Sequence, residues 1–192
     1  MGKIVISENV SLDGVVQDPT GEEGFRLGGW FGQTEAQDLE AWAQVAFAEA
    51  LGAEALLLGR RSYEWFAARW PSRSGEWADR LNSLPKYVVS STLEVLDWNN
   101  STVLKGNVVN DVSKLKQEVA GDIVVYASGQ LVNTLLEHDL VDELRLMIFP
   151  TVLGAGDRLF GEVSHRKPMR LVDTRTVGDG LVCLTYEPAR GA

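Results

Sequence analysis

Apolar residues in this chain follow two spacings. Short unbroken apolar runs alternate with stretches in which apolar positions recur every three or four residues. The first spacing reads as strands buried on both faces, the second as helices packed along one side. Residues 3–9, Ala55–Leu58, Lys86–Ser91, Thr102–Leu104, Ile123–Tyr126 and Leu144–Phe149 read as strands. A helix is expected from Thr34 to Gly52, with Thr34 and Gln37 as a capping box and a face of Leu39, Trp42, Ala43, Ala46, Phe47 and Ala50. A second begins near Arg60–Ser62, carries Tyr63, Phe66 and Trp70, and stops at Pro71; Trp77 and Leu81 suggest a further helical turn. Asp111 reads as the cap of a helix bearing Val112, Leu115 and Val119, and Gly129–His138 as another. Gly178-Asp179-Gly180, between Arg170–Thr176 and Leu181–Glu187, marks a hairpin. Strand and helix alternate first and strands close the chain. This predicts an α/β domain with a mixed, mostly parallel central sheet, flanking helices and an antiparallel C-terminal hairpin.

The 192 residues fit one domain spanning 1–192, and 45% hydrophobic with 23% charged residues is a globular composition. A net charge of −9 argues against nucleic acid as a partner, since that needs a basic footprint. It leaves room for an anionic ligand in a locally basic pocket, and Arg60, Arg61, Lys86, Lys105 and Arg158 lie in or near turns that could form one. Cys183 is the single cysteine, so no internal disulfide is expected, and its apolar run makes it a core residue. The start reaches Glu8 before any signal-type apolar stretch builds up, and no run approaches the roughly 20 residues needed to span a bilayer. A cytoplasmic protein without membrane contact is expected. His138 and His165 lack partners at ligand spacing, so no metal is expected.

Three segments carry the chemistry. Each runs from a buried strand into a turn suited to anions: Ala55–Glu64, Lys86–Thr92 and Ile123–Leu131. Helix N-termini present unpaired N–H groups and partial positive charge, and so bind phosphate. Two such termini with a Ser-Ser-Thr strand end between them suit an elongated ligand with several phosphates. Gly59-Arg60-Arg61-Ser62 could also be a plain strand–helix turn with solvated arginines, and Ser128 at least caps its helix. The loop through Gly21, Gly24, Gly28, Gly29, Trp30, Phe31 and Gly32 is long and aromatic. Trp30 and Phe31 either roof a pocket or pin the loop. On the first helix, Asp38, Glu40 and Glu49 fall off the apolar stripe.

Four pieces of sequence resemble the dihydrofolate-reductase fold, and within it the reductase domain of the bifunctional riboflavin-biosynthesis deaminase/reductase and its stand-alone relatives. These are Ser11-Leu12-Asp13-Gly14, Leu58-Gly59-Arg60-Arg61-Ser62-Tyr63-Glu64, Val89-Ser90-Ser91-Thr92, and Ser128-Gly129 followed by Pro150-Thr151-Val152-Leu153-Gly154-Ala155-Gly156. The resemblance implies an NADPH-dependent reductase acting on a small heterocyclic or phosphoribosyl-type substrate, similar to 5-amino-6-(5-phosphoribosylamino)uracil reductase. By position, Gly59, Arg60, Arg61 and Ser62 would hold the pyrophosphate and 2′-phosphate region. Ser90, Ser91 and Thr92 would line the adenosine end, and Ala127, Ser128, Gly129, Gln130 and Leu131 would cradle phosphates. Gly14, Trp30, Phe31, Leu153 and Gly154 would face the substrate, with Asp13 as the nearest catalytic acid or, alternatively, an Asx turn. Relatives of this kind are often homodimers. A nucleotide-binding sensor without turnover and a true dihydrofolate reductase are the alternatives.

Overall fold

The computed structural model describes residues 1–189. Eight strands form one sheet: β1 (Lys3–Ser11), β2 (Ala53–Gly59), β3 (Lys86–Val89), β4 (Ser101–Leu104), β5 (Asp122–Tyr126), β6 (Glu143–Phe149), β7 (Met169–Val177) and β8 (Leu181–Pro188). Their order across the sheet is β4-β3-β2-β5-β1-β6-β8-β7. Every pairing is parallel except those of β8, which runs antiparallel to both β6 and β7. The helices are α1 (Ala36–Gly52), α2 (Arg60–Ala67), α3 (Glu76–Ser83), α4 (Val108–Glu118) and α5 (Gly129–Glu137).

Strand alternation sends successive side chains to opposite faces, and two cores result. On one face Ile4, Ile6, Leu57, Ile123 and Val125 pack against Val112 and Leu115 of α4 and Val132 and Leu135 of α5. On the other, Val5, Leu56, Leu58, Val88 and Val124 meet Ala50 of α1, Tyr63 of α2 and Leu81 of α3. The central strands are apolar on both sides because helices cover both sides. The arrangement is the expected α/β mixed sheet with flanking helices and a C-terminal antiparallel hairpin.

Several local expectations fail. The capping box does not form: α1 starts at Ala36 with Glu35 as N-cap and no side-chain cap, while Gln37 donates to the Asp179 carboxylate. Asp111 is inside α4 rather than capping it. Asn107 is the cap and accepts from the Asn110 amide, while Asp111 accepts from Gly106. At both helix starts two polar residues compete for the cap; at α1 a distant contact draws Gln37 to Asp179, and at α4 local bonds give the cap to Asn107. α2 ends at Ala67, short of Pro71. The C-terminal end of α1 is closed from outside, by the Arg80 guanidinium donating to the carbonyls of Ala50 and Ala53.

The apolar residues of β6 belong to the core. β6 lies inside the sheet between β1 and β8, and Leu144, Leu146, Met147 and Phe149 are buried. No helix among the described residues is long and apolar enough to cross a membrane.

Candidate functional site

Parallel strands β3, β2, β5 and β1 point their C-terminal ends to one side of the sheet, where Ser90–Thr92, Gly59, Ala127–Ser128 and the end of β1 follow one another. This is the edge where open α/β sheets bind ligands. One cavity of about 1750 Å³ runs along it, lined by Gly59, Arg60, Arg61, Ser62, Ser90, Ser91, Thr92 and Ala127 through Leu131. All twelve residues expected to hold a cofactor therefore share one groove. A drug-sized ligand occupies a pocket of roughly 300–1,000 Å³, so this volume leaves room for a dinucleotide and a second molecule.

The turn between β5 and α5 is the most tightly built part of the groove. Ala127 and Ser128 both have positive φ, 50° and 66°, in the left-handed region that non-glycine residues avoid. Side-chain ties hold them there. The Ser128 amide donates to Ser62 Oγ at 2.9 Å, Ser128 Oγ donates to the Tyr126 carbonyl at 2.9 Å, and the Gly59 amide donates to Ser128 Oγ at 3.0 Å. Ser128 stands at the N-cap of α5 but its hydroxyl does not cap the helix. It joins β2, α2 and β5 instead.

The two glycines accordingly do different things. The Gly59 amide is spent on Ser128 and has no hydrogen left for a phosphate. Gly129 opens α5, whose first amides have no intrahelical acceptor, and a Cβ built on it would meet nothing within 4 Å. The N-terminus of α5 is where the groove presents helix amides that have no intrahelical acceptor.

Of the cations, Arg60 is held by Glu64 at 2.8 Å and by Thr92 Oγ1 at 2.6 Å, which ties α2 to the Ser-Ser-Thr strand end. Arg61 is exposed, with Glu23 at 3.8 Å as a loose partner. Lys86 is not a groove cation. It is fully buried, donates to the carbonyls of Asn82 and Asn99 and lies over the Trp98 ring, and burial pushes its amine down to about 8.

Beyond β5 the same cavity continues between the sheet and α1. Ser7 and Asn9 of β1, Arg145 and Met147 of β6, Cys183 and Thr185 of β8 and Arg175 of β7 are neighbours in register on one face. Trp42, Val45 and Glu49 of α1 face them, with Phe31, Trp65, Trp70 and Trp77 around the rim. Arg145 bonds three carboxylates: Glu49 at 3.0 Å, Asp122 at 3.0 Å and Glu143 at 2.6 Å. Burial would lower its basicity, but Glu49 and Glu143 outweigh that and hold it charged. Burial, then Glu49, pushes the Tyr126 phenol well above its usual range.

Two acids of α1 are thus not outside the packed side. Asp38 is buried and accepts from the Asp179 amide in the hairpin turn, and Glu49 lines the cavity. The hairpin engages Asp38, and Arg145 engages Glu49.

The residues assigned to substrate divide. Phe31 lines the cavity and stacks on Phe149 at 4.6 Å. Trp30 is buried, and its indole donates to the Gln17 carbonyl, so it pins the loop. Asp13, Gly14, Leu153 and Gly154 lie outside the cavity lining. The Asp13 carboxylate accepts from Ser11 Oγ and from the amides of Leu153 and Gly154, which lowers it to about 2. A group ionised at neutral pH has no proton to give. Asp13 clasps the Ser11–Gly14 turn to the 151–154 loop.

Sequence reasoning passed over three polar atoms. Glu8 Oε1, Trp65 Nε1 and Trp70 Nε1 are buried without a hydrogen-bond partner among the described residues, and all three residues line this cavity. Unpaired buried polar atoms are uncommon and costly. No cluster able to hold a metal occurs among the described residues.

A family model, the RibD C-terminal domain, matches residues 2–183. The chain belongs to that family. The uncharacterized protein YyaP of Bacillus subtilis (strain 168) is 30% identical over 190 residues, covering 96% of this chain and 94% of YyaP. Among solved structures, a putative riboflavin biosynthesis protein from Shewanella sp. PV-4 superposes with a TM-score of 0.73 at 20% identity, over 98% of this chain and 99% of that one. A dihydrofolate reductase from Enterococcus faecalis, complexed with NADP(H), gives 0.63 at 14% identity over 97% and 96%. The RibD C-terminal domain of this chain therefore has the dihydrofolate-reductase-like fold.

Proposed function

We propose that the protein is an NADPH-dependent reductase of a small heterocyclic or phosphoribosyl-type substrate. The observation that carries this reading is the single cavity crossing the ends of β3, β2, β5 and β1 and continuing into an aromatic cleft under α1. Strands stand about 4.8 Å apart, so β3 to β1 spans roughly 14 Å, a length suited to a dinucleotide laid across the sheet edge. The open N-terminus of α5 accepts the diphosphate, Ser90–Thr92 receive the adenosine side, and Arg61 with Arg60 meets the 2′-phosphate. Family membership and a fold shared with a reductase complexed with NADP(H) support the same assignment.

When bound, NADPH supplies the hydride. The chain contributes position and dryness: Phe31 and Trp42 shield the cleft, and the residues around it orient a planar acceptor. Hydride transfer needs no acid–base pair of the hydrolytic kind, so the engagement of Asp13 elsewhere does not weaken the reading. A second copy of the chain is part of the proposal. β7 is one of the two outer strands of the sheet and exposes Leu171 and Val172. Sedimentation showing only monomer would remove that part.

The test is a fluorescence titration with NADPH and NADH, followed by a turnover screen of pyrimidine, pterin and phosphoribosyl-linked acceptors. Saturable NADPH binding with oxidation by one class supports the reductase. Tight binding with no turnover across the panel would favour a sensor.

A further inference from the structure

Glu8 is a carboxyl where the strand pattern calls for an apolar residue. By alternation it follows Ile4 and Ile6, and in register it sits beside Leu146 of β6. It is 7% exposed, lines the cavity, and has Oε1 unpaired. Its place along the sheet edge is informative. The groove runs from Ser90–Thr92 past the phosphate turn of α5, and β1 is the next strand after β5. A dinucleotide anchored by its phosphates at α5, with its adenosine toward β3, carries its other ring toward β1.

We propose that Glu8 is the charge partner of the nicotinamide ring, protonated beside the neutral reduced ring and ionised beside the cationic oxidised one. The inference rests on the dinucleotide reading above. It gives the cavity a means of telling the two redox states of one cofactor apart.

The charged groups around Glu8 leave it this freedom. On β6 the register partner of Glu8 is the apolar Leu146, while Arg145, which pairs with Ser7 on the other face, is taken by three carboxylates. On β5, Tyr126 also pairs with Ser7, and burial keeps it a neutral phenol. After β1, the Asp18 carboxylate accepts from the amides of Glu23 and Phe25. In the 157–158 loop, Arg158 donates to the Asp13 carbonyl. α5 presents Gln130, Asn133 and Thr134 to the cavity. No ion pair to Glu8 forms among the described residues, and burial alone raises its carboxyl to about 8. A cation set beside it favours the ionised form, and a neutral ring favours the acid.

Oxidised and reduced cofactor share every group except the ring. The ratio of their dissociation constants, Kd(NADP+)/Kd(NADPH), isolates that one difference. In the wild type this ratio should fall at least about tenfold between pH 6.5 and 9, since one pKa unit of difference is tenfold in affinity. In Glu8→Gln it should stay flat while NADPH still binds. A flat wild-type ratio with both nucleotides bound would overturn the role of Glu8 and leave the dinucleotide site standing. Failure of both to bind would overturn both.

A second measurement holds if the variant folds poorly. Carboxyl 13C NMR of the wild type should give Glu8 a lower midpoint with NADP+ than with NADPH, and equal midpoints would refute the proposal. The free protein offers a further check. The native carboxyl keeps its proton up to about 8, whereas the unfolded one releases it near 4.5. The unfolded state thus binds fewer protons in that window, and the melting temperature should fall as pH rises through it. Glu8→Gln should remove that fall.

Discussion

The two ends of the cavity are built from different materials. The end proposed for the nucleotide is made largely of backbone and short side chains at strand ends, those of Gly129, Ser128, Ser90, Ser91 and Thr92, with Arg60 and Arg61 beside them. The cleft under α1 is made of side chains contributed by strands β1, β6, β7 and β8 and helices α1, α2 and α3, with Arg145 at its floor joined to Glu49, Asp122 and Glu143. The first end is assembled from three segments, each short and continuous in sequence, which hydrogen bonds among Gly59, Arg60, Ser62, Thr92 and Ser128 join to one another. The second depends on contacts across much of the chain. The difference implies that the two ends can be broken separately.

Arg145→Met breaks the cleft. Removing the cation leaves three partly buried carboxylates facing one another without compensation, a change that costs about 3–5 kcal/mol in comparable settings. Thermal unfolding should show the melting temperature lowered by ten degrees or more. Affinity for NADPH should stay within about threefold of wild type at a temperature where the variant is folded. A large loss of nucleotide affinity in the folded variant would mean that the two ends are one cooperative unit.

Gly129→Val breaks the other end. The added side chain enters open groove rather than protein, because nothing lies within 4 Å of its Cβ. Folding should change by no more than about 0.5 kcal/mol, as for other substitutions that disturb no packed neighbour. NADPH affinity should fall about 100-fold, or roughly 2.7 kcal/mol. Unchanged affinity would remove α5 as the phosphate site.

The same contrast explains what could be read from the sequence. The continuous apolar runs gave away β2 and β5, and the Gly-Arg and Ser-Gly turns after them marked the groove, because strand, turn and helix start are adjacent in the chain. The cleft left no such trace. Nothing local says that Glu49 reaches Arg145 across 96 positions, or that Asp38 turns inward to hold the Asp179 amide. Trp30 and Phe31 are neighbours in sequence, yet one is loop anchor and the other cavity wall. Gly59 looks like an amide donor to phosphate from its neighbours alone, but its amide goes to Ser128 Oγ, 69 positions away. Glu8 was visible as a polar break in an apolar strand, a signal that local alternation treats as noise.

Arg61→Gln sharpens the picture at the adenosine end. Arg61 is 85% exposed at its side chain, and its nearest carboxylate, that of Glu23, is 3.8 Å away. A cation so lightly held contributes little to stability, so unfolding should move by less than about 0.5 kcal/mol. Its effect should fall on the 2′-phosphate. The preference for NADPH over NADH is expected to drop about tenfold, near 1.4 kcal/mol. An unaltered preference would assign the 2′-phosphate to Arg60 alone, despite the bonds that hold Arg60 to Glu64 and Thr92.

The smallest effect probes why the nucleotide end is strained. Ala127 adopts φ 50° although a left-handed alanine costs roughly 1–2 kcal/mol. Glycine adopts that conformation freely but loses about 0.5–1 kcal/mol of extra chain entropy on folding. Ala127→Gly should therefore gain up to about 1 kcal/mol of stability, a few degrees in melting temperature. If the strain serves to fix the amides of α5 before the ligand arrives, the same variant should bind NADPH several-fold more weakly while melting higher. Stability and affinity would then move in opposite directions from a single methyl group. A variant that gains stability and keeps full affinity would show that the Ser62–Ser128–Gly59 ties position those amides without help from residue 127.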